Sequence, residues 1–204
     1  MSFLGELADK PWLTQGSLDG IPDAVESDLP TPQFGLRVFL GVVTVLFALF
    51  AVVYSERMLF SDWRTLPEPW LLWLNTGILI LSSMAIQRAV NSARLGRMDG
   101  VRTGLVAAGI LTLAFLAGQF WVWLQLVGLG YYAATNVANA FFYLLTALHG
   151  VHLSGGLVAL GRTALKMQRG VEVGKLRMSV ELCATYWHFL LVIWLALFVL
   201  LLNT

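Results

Sequence analysis

Charge is what this 204-residue chain has least of: 12% of its residues are charged, against 58% apolar. A water-facing domain carries roughly 25% charged residues, so most of this surface is not built for water. Cysteine is nearly absent too. The single Cys183 excludes a disulfide scaffold, and it lies inside an apolar run. A net charge of +1 with no basic face argues against a nucleic-acid partner. No basic stretch leads into an apolar one at the N-terminus, so no signal peptide is expected. What the chain does have is long apolar runs, and these make it an integral membrane protein.

Five runs approach the ~20 residues that cross a ~30 Å hydrocarbon core. They cover about 38–54, 70–86, 103–126, 139–160 and 180–202. Each is continuously apolar and does not alternate, which predicts helices and not a barrel. The expected fold is all-α, a bundle of five transmembrane helices. Arg88, Arg94, Arg97 and Arg102 follow the second run, and Arg162, Lys166, Arg169, Lys175 and Arg177 follow the fourth. The opposite side has only Arg57 and Arg64. Nine basic residues against two place both basic segments, and the N-terminus, in the cytoplasm, with the C-terminus outside. Trp63, Trp70, Trp121, Trp123, Tyr131 and Tyr132 suit an aromatic belt at the outer headgroup level.

Residues 1–36 read as an acidic, Pro/Gly-rich cytoplasmic tail, with Trp12 and Leu13 as contact points for a partner. Residues 37–204 form the membrane domain. Small residues spaced by four, such as Gly104/Ala108 and Ala114/Gly118, permit close helix approach.

Ionisable groups within a span are costly and mark functional candidates. The fourth span holds His149 and His152, the fifth Glu181 and His188. Glu181, Thr185 and His188 share one helical face; Asn139, Thr146 and His149 share another. At 1.5 Å per residue the two histidines His149 and His188 should lie at similar depth, so the fourth and fifth spans should pack through one polar seam. Asn75 and Arg88 on the second span are secondary members, Asn75 for interhelical hydrogen bonds and Arg88 for reaching lipid phosphates. Ser82 and Ser83 lie on the same span, and Gln119 and Gln125 on the third.

This set fits cofactor chemistry poorly. A bis-histidine haem needs facing ligand pairs, and Glu181 should sit ~10 Å from His188 along the axis, too far for one metal site. Ser154 lacks the setting of an activated nucleophile, and five spans do not divide into a transporter's repeats. From the residues alone the reading is a five-helix membrane subunit with a polar seam and no redox centre.

Two segments are more specific. Glu181-Leu-Cys-Ala-Thr-Tyr186-Trp187-His188-Phe189, followed by Val192-Ile193-Trp194, resembles the C-terminal signature of subunit III of haem-copper terminal oxidases. Thr146-Ala-Leu-His149-Gly150-Val151-His152 resembles that family's Thr-x-x-His-Gly-x-His run. Five spans match its short bacterial form, and the resemblance covers about 34–202.

The resemblance implies a non-catalytic accessory subunit in the bacterial inner membrane, with no catalytic, cofactor-binding or metal-binding residues of its own. Haem and copper would belong to partner subunits I and II, with subunit I the main contact. Phospholipids would occupy a cleft between the first two helices and the remaining bundle, supporting assembly, stability and proton uptake. His149, His152, Glu181, Tyr186, Trp187 and His188 would form the polar seam of that cleft, with Asn75, Arg88, Thr146 and Thr185 beside it. Leu191 stands where the family commonly has an acidic residue, and the first span lacks the family's buried glutamate. A cytochrome c oxidase is the expected complex; a quinol oxidase or a nitric oxide reductase with a related small subunit are alternatives. A rival of another class is a small proton-coupled transporter relaying through His149, His188 and Glu181.

Overall fold

The computed structural model describes residues 31–60, 70–169 and 173–203. Trp12, Leu13 and Trp63 lie outside the described residues. Five helices make up the described chain, with no strand among them: α1 (Thr31–Arg57), α2 (Leu71–Arg94), α3 (Met98–Gly128), α4 (Val137–Gln168) and α5 (Val173–Leu202). Helix α1 takes in Thr31–Leu36 as well as the apolar run. Pro32 is accommodated there because its missing N–H would have no partner in a first turn.

The helices run past the apolar runs on the basic side. Arg88, Arg94, Arg102, Arg162, Lys166 and Arg177 therefore sit on helical turns and not in loops. Between α2 and α3 only Leu95, Gly96 and Arg97 remain. Gly96 adopts φ +69°, the left-handed cap that glycine allows. Gly96 N–H then donates to Ala93 C=O at 3.2 Å and Arg97 N–H to Ser92 C=O at 2.9 Å. Gly130 (φ +85°) ends α3 with the same pair of bonds, to Val127 and Leu126. Helix α4 starts at Asn136, whose side chain accepts from Ala138 N–H at 3.2 Å.

Four of the five helices are long and apolar enough to cross a membrane by length and composition: α1, α3, α4 and α5. Helix α2 has 24 residues, a length of ~36 Å, but it carries Asn75, Thr76, Ser82 and Ser83, all buried. Their burial follows from its position. Its broadest packing is against α3 and its next against α5, while α4 packs on α5 and α3. Helices α2–α5 form the bundle, closed by Trp187, Trp194, Phe115, Leu79 and Ile86.

Helix α1 stands apart. It touches α5 and α4 through a stripe of Val43, Phe47 and Tyr54, and turns Val38, Val42, Val45, Leu49 and Val52 outward. In its most apolar window 11% of residues are buried, against 33% in α3, α4 and α5. A cleft separating the first two helices from the rest is therefore not formed. Only α1 is peripheral, because Thr76, Ser82 and Ser83 of α2 find their partners inside the bundle.

Candidate functional site

The sequence pattern Ser83, Gln87, Asn91 repeats every four residues and lines one face of α2. His188 of α5 docks on that face, half-buried. Its Nε2 lies 2.9 Å from Gln87 Oε1, and its Nδ1 lies 2.6 Å from the Ser83 hydroxyl. A carboxamide oxygen only accepts, so Nε2 carries the proton and Nδ1 accepts from Ser83. Gln87 Nε2 in turn donates to Asn91 Oδ1 at 3.3 Å. The bonds fix the ring between α2 and α5.

Two turns toward the basic end, Glu181 Oε1 accepts from Arg94 Nε and from Arg177 Nε, both at 3.1 Å. The Glu181 side chain is 26% exposed and the two arginine side chains about half exposed. Such pairs add little stability singly, but they hold two cations at one point. Thr185 donates to the Glu181 carbonyl at 3.0 Å. A cavity of about 290 Å³ opens here, bounded by Arg37 and Gln33 of α1, Gln87 and Arg94 of α2, and Glu181, Thr185 and His188 of α5. Arg37 has no ionic partner among the described residues. Arg37 and Arg94 line the cavity and Arg177 reaches the same Glu181 carboxylate from beside it, so three arginines stand near one carboxylate.

On the other side of the α1–α5 contact lies a second cavity, about 330 Å³ and almost wholly apolar. Leu36 and Leu182 border both, so the two adjoin. Phe39, Gly155, Ala159, Cys183, Tyr186 and Trp187 complete its wall. No atom stands within 4 Å of where a Gly155 Cβ would be, so this glycine keeps the wall low. The Tyr186 hydroxyl donates to the His152 carbonyl at 2.8 Å, and His152 Nδ1 donates to the Leu148 carbonyl at 2.8 Å. The imidazole packs on Phe39 and Phe47 of α1, with ring centroids 6.3 and 5.6 Å away.

The expected seam is therefore divided into three places. Glu181, Thr185 and His188 do share a face and line the cationic cavity. His152 and Tyr186 face α1. Trp187 lies deeper, its Nε1 donating to Ser82 Oγ at 3.1 Å and Thr112 Oγ1 at 3.2 Å, while Ser82 donates to the Ala108 carbonyl at 3.0 Å. Thr146 donates to the Phe142 carbonyl at 2.7 Å and accepts from Trp123 Nε1 at 3.1 Å. That bond turns Trp123 inward, away from the expected aromatic belt; Trp70, Trp121 and Tyr132 remain exposed.

His149 is fully buried against Phe115 and Trp194, with ring centroids 5.9 and 5.1 Å away. It does not share a depth with His188. Gly156 packs on Trp187 and His149 on Trp194, so the two histidines differ by about six residues, ~9 Å along the axis. The mismatch arises because the helices extend unequally past the apolar runs from which depth was counted. That offset separates the two histidines, and no group of three or more His, Cys, Asp or Glu among the described residues has a metal-holding arrangement. Asn75 is buried in the bundle, and Arg88 is exposed at a separate cavity of about 440 Å³ between α2 and α3, with Arg97.

Arg37, Gln87 and Arg94 were not among the sequence candidates. The four-residue repeat through Ser83, Gln87 and Asn91 was the available signal for Gln87. The arginines carried none beyond their sign, since their convergence depends on how α1 and α2 meet α5.

Residues 65–203 match the family described as cytochrome c oxidase subunit III. A "Cytochrome c oxidase subunit 3" from Thermostichus vulcanus is 32% identical over 197 residues, covering 92% of this chain and 96% of the relative. A "Probable cytochrome c oxidase subunit 3" from Mycobacterium leprae (strain TN) is 33% identical over 127 residues, 60% of this chain and 61% of the relative. The "Cytochrome c oxidase subunit 3" of Corynebacterium diphtheriae is 30% identical over 173 residues, 81% of this chain and 84% of the relative.

Proposed function

The chain belongs to the cytochrome c oxidase subunit III family, and from that membership we propose that it is a cofactor-free accessory subunit that binds phospholipid beside subunit I. The family is a non-catalytic part of a haem-copper oxidase complex, so this membrane protein works with other subunits. The family match carries this reading; haem and copper are assigned to subunits I and II. The names of the relatives favour cytochrome c as electron donor. The basic helix ends favour a cytoplasmic N-terminus and an external C-terminus in a bacterial inner membrane.

The lipid reading is supported by the adjoining cavities at α1. A phosphate is an anion with several acceptor oxygens, and Arg37 and Arg94 in the cavity wall supply the matching donors, with Arg177 beside them helping to neutralise Glu181. An acyl chain needs a nearby apolar trough, which Leu36, Phe39, Ala159 and Leu182 provide. His188 and Glu181 serve as positioning residues: the first fixes α5 against α2, the second holds two guanidinium groups at the mouth.

C-terminal tagging, mild detergent extraction and mass spectrometry test the assignment. A haem-bearing chain and a copper-domain chain are expected in fixed stoichiometry; recovery of the protein alone refutes it. Within that complex, Arg37→Ala combined with Arg94→Ala is expected to lower bound lipid phosphorus while haem per complex stays constant. His188→Ala should also leave haem unchanged, but should cost about 1–2 kcal/mol for two lost hydrogen bonds and reduce lipid retention. Thermal unfolding and phosphorus analysis read the two effects separately.

A further inference from the structure

Three polar side chains in the middle of the bundle take no part in the site beside α1. Asn75 of α2, Gln119 of α3 and His149 of α4 are 1%, 4% and 0% exposed. Both polar side-chain atoms of each lack a hydrogen-bond partner among the described residues. Within hydrocarbon such groups are unfavourable unless something neutral and polar meets them.

The helix registers bring the three to one depth. The Asn75 carboxamide lies directly over Gly118, where a Cβ would collide with Oδ1, so Asn75 is level with the neighbour of Gln119. Trp123 bonds Thr146. Since α3 and α4 run antiparallel, stepping four residues back along α3 and three forward along α4 sets Gln119 level with His149. Gly150, packed on Leu116, agrees. Trp194 of α5 closes the fourth side: it donates to Thr76, beside Asn75, at 3.0 Å, and its ring lies 5.1 Å from that of His149. All three side chains are thus buried at one level of the α2–α5 bundle.

The chemistry of this layer selects its ligand. Two carboxamides and an imidazole present N–H donors and O or N acceptors together. None of the three carries a fixed charge, which leaves an anion or a metal cation without a counter-charge. A small neutral molecule that both donates and accepts is water. We propose that Asn75, Gln119 and His149 form an internal water site that joins α2, α3 and α4 by bridging hydrogen bonds. With about three bonds per buried water, six polar atoms accommodate roughly two molecules. The site is separate from the two cavities at α1 and does not depend on what fills them.

X-ray radiolytic footprinting of the full-length protein in its purified complex tests this, because hydroxyl radicals generated from bound water oxidise the residues beside it. In H₂¹⁸O, His149 and Trp194 are expected to acquire ¹⁸O label several-fold faster than Trp187, which is as deeply buried but bonded to protein hydroxyls. Equal protection of all three residues overturns the proposal. In Gln119→Leu and Asn75→Leu the label at His149 and Trp194 should fall several-fold; label unchanged in both variants overturns the assignment to these side chains. Should the variants fail to accumulate, the unsubstituted protein decides the question alone.

Discussion

Trp187→Ala is expected to lower the stability of the detergent-solubilised protein by about 3 kcal/mol, the low end of the range for a buried tryptophan. The low end applies because lipid tails are as apolar as the core, so helices in a membrane gain little from the hydrophobic effect itself and depend on packing. Trp187 is 2% exposed, and its loss removes dispersion contacts with three helices. The hydrogen-bond contribution is smaller, for a specific reason. The one hydroxyl proton of Ser82 goes to the Ala108 carbonyl. The 2.9 Å Ser82–Thr112 contact must then be donated by Thr112. Removing the indole therefore leaves both hydroxyls with their protons placed, and only acceptor sites are vacated. Trp187→Phe, which keeps a buried six-membered ring but loses the N–H and part of the bicycle, should cost about 1–2 kcal/mol. Melting curves of the two variants separate the effects: a fall of roughly 6–12 °C is expected for alanine, and a Phe variant as damaged as Ala would show that the hydroxyl contacts matter more than the packing.

Gly104→Val should be as damaging, by the opposite mechanism. A Cβ at Gly104 would stand 2.8 Å from Ala89 Cβ and 2.9 Å from Ala85 O and Ala89 N. These atoms belong to the backbone or to the shortest side chain, so none can swing aside. Helices α2 and α3 must separate, and their contact is the broadest in the fold. Overpacking of this kind costs about 1–3 kcal/mol for added methylenes; valine adds three carbons, so a loss of about 3 kcal/mol and poor accumulation in the membrane are expected. Gly155→Ala is the control. It meets open space, and alanine's helix propensity exceeds glycine's by about 1 kcal/mol, so yield and melting temperature should hold or rise. If Gly104→Val is tolerated as well as Gly155→Ala, the α2–α3 approach is looser than these distances state.

The spacing Gly104/Ala108 was readable as a close-packing signal, but equally spaced Gly150/Ser154 is not one. Gly150 meets only Leu116 at 3.6 Å, and Ser154 is exposed with its hydroxyl returned to the Gly150 carbonyl. A four-residue spacing says that two small residues share a face, not that another helix comes to it. The same limit governed the histidines. His149 and His152, three apart, went to different neighbours: one to the aromatic interior of the bundle, the other to α1.

The five apolar runs, their helical character and the faces shared by Glu181, Thr185 and His188, or by Asn139, Thr146 and His149, were set by sequence alone. Hydrocarbon leaves a single chain segment few ways to satisfy its backbone, and helical periodicity then fixes which side chains are neighbours along one helix. Which helices meet, and at what register, was decided only by tertiary packing. Between helices there is no periodicity to count. Their relative slide follows from fits such as Gly104 into Ala85 and Ala89 and from bonds such as Trp187 to Ser82 and Thr112, each joining residues remote in the chain. That packing placed α2 within the bundle and α1 at its edge, parted His149 from His188, and brought Arg94 and Arg177 to Glu181 with Arg37 in the wall of the same cavity.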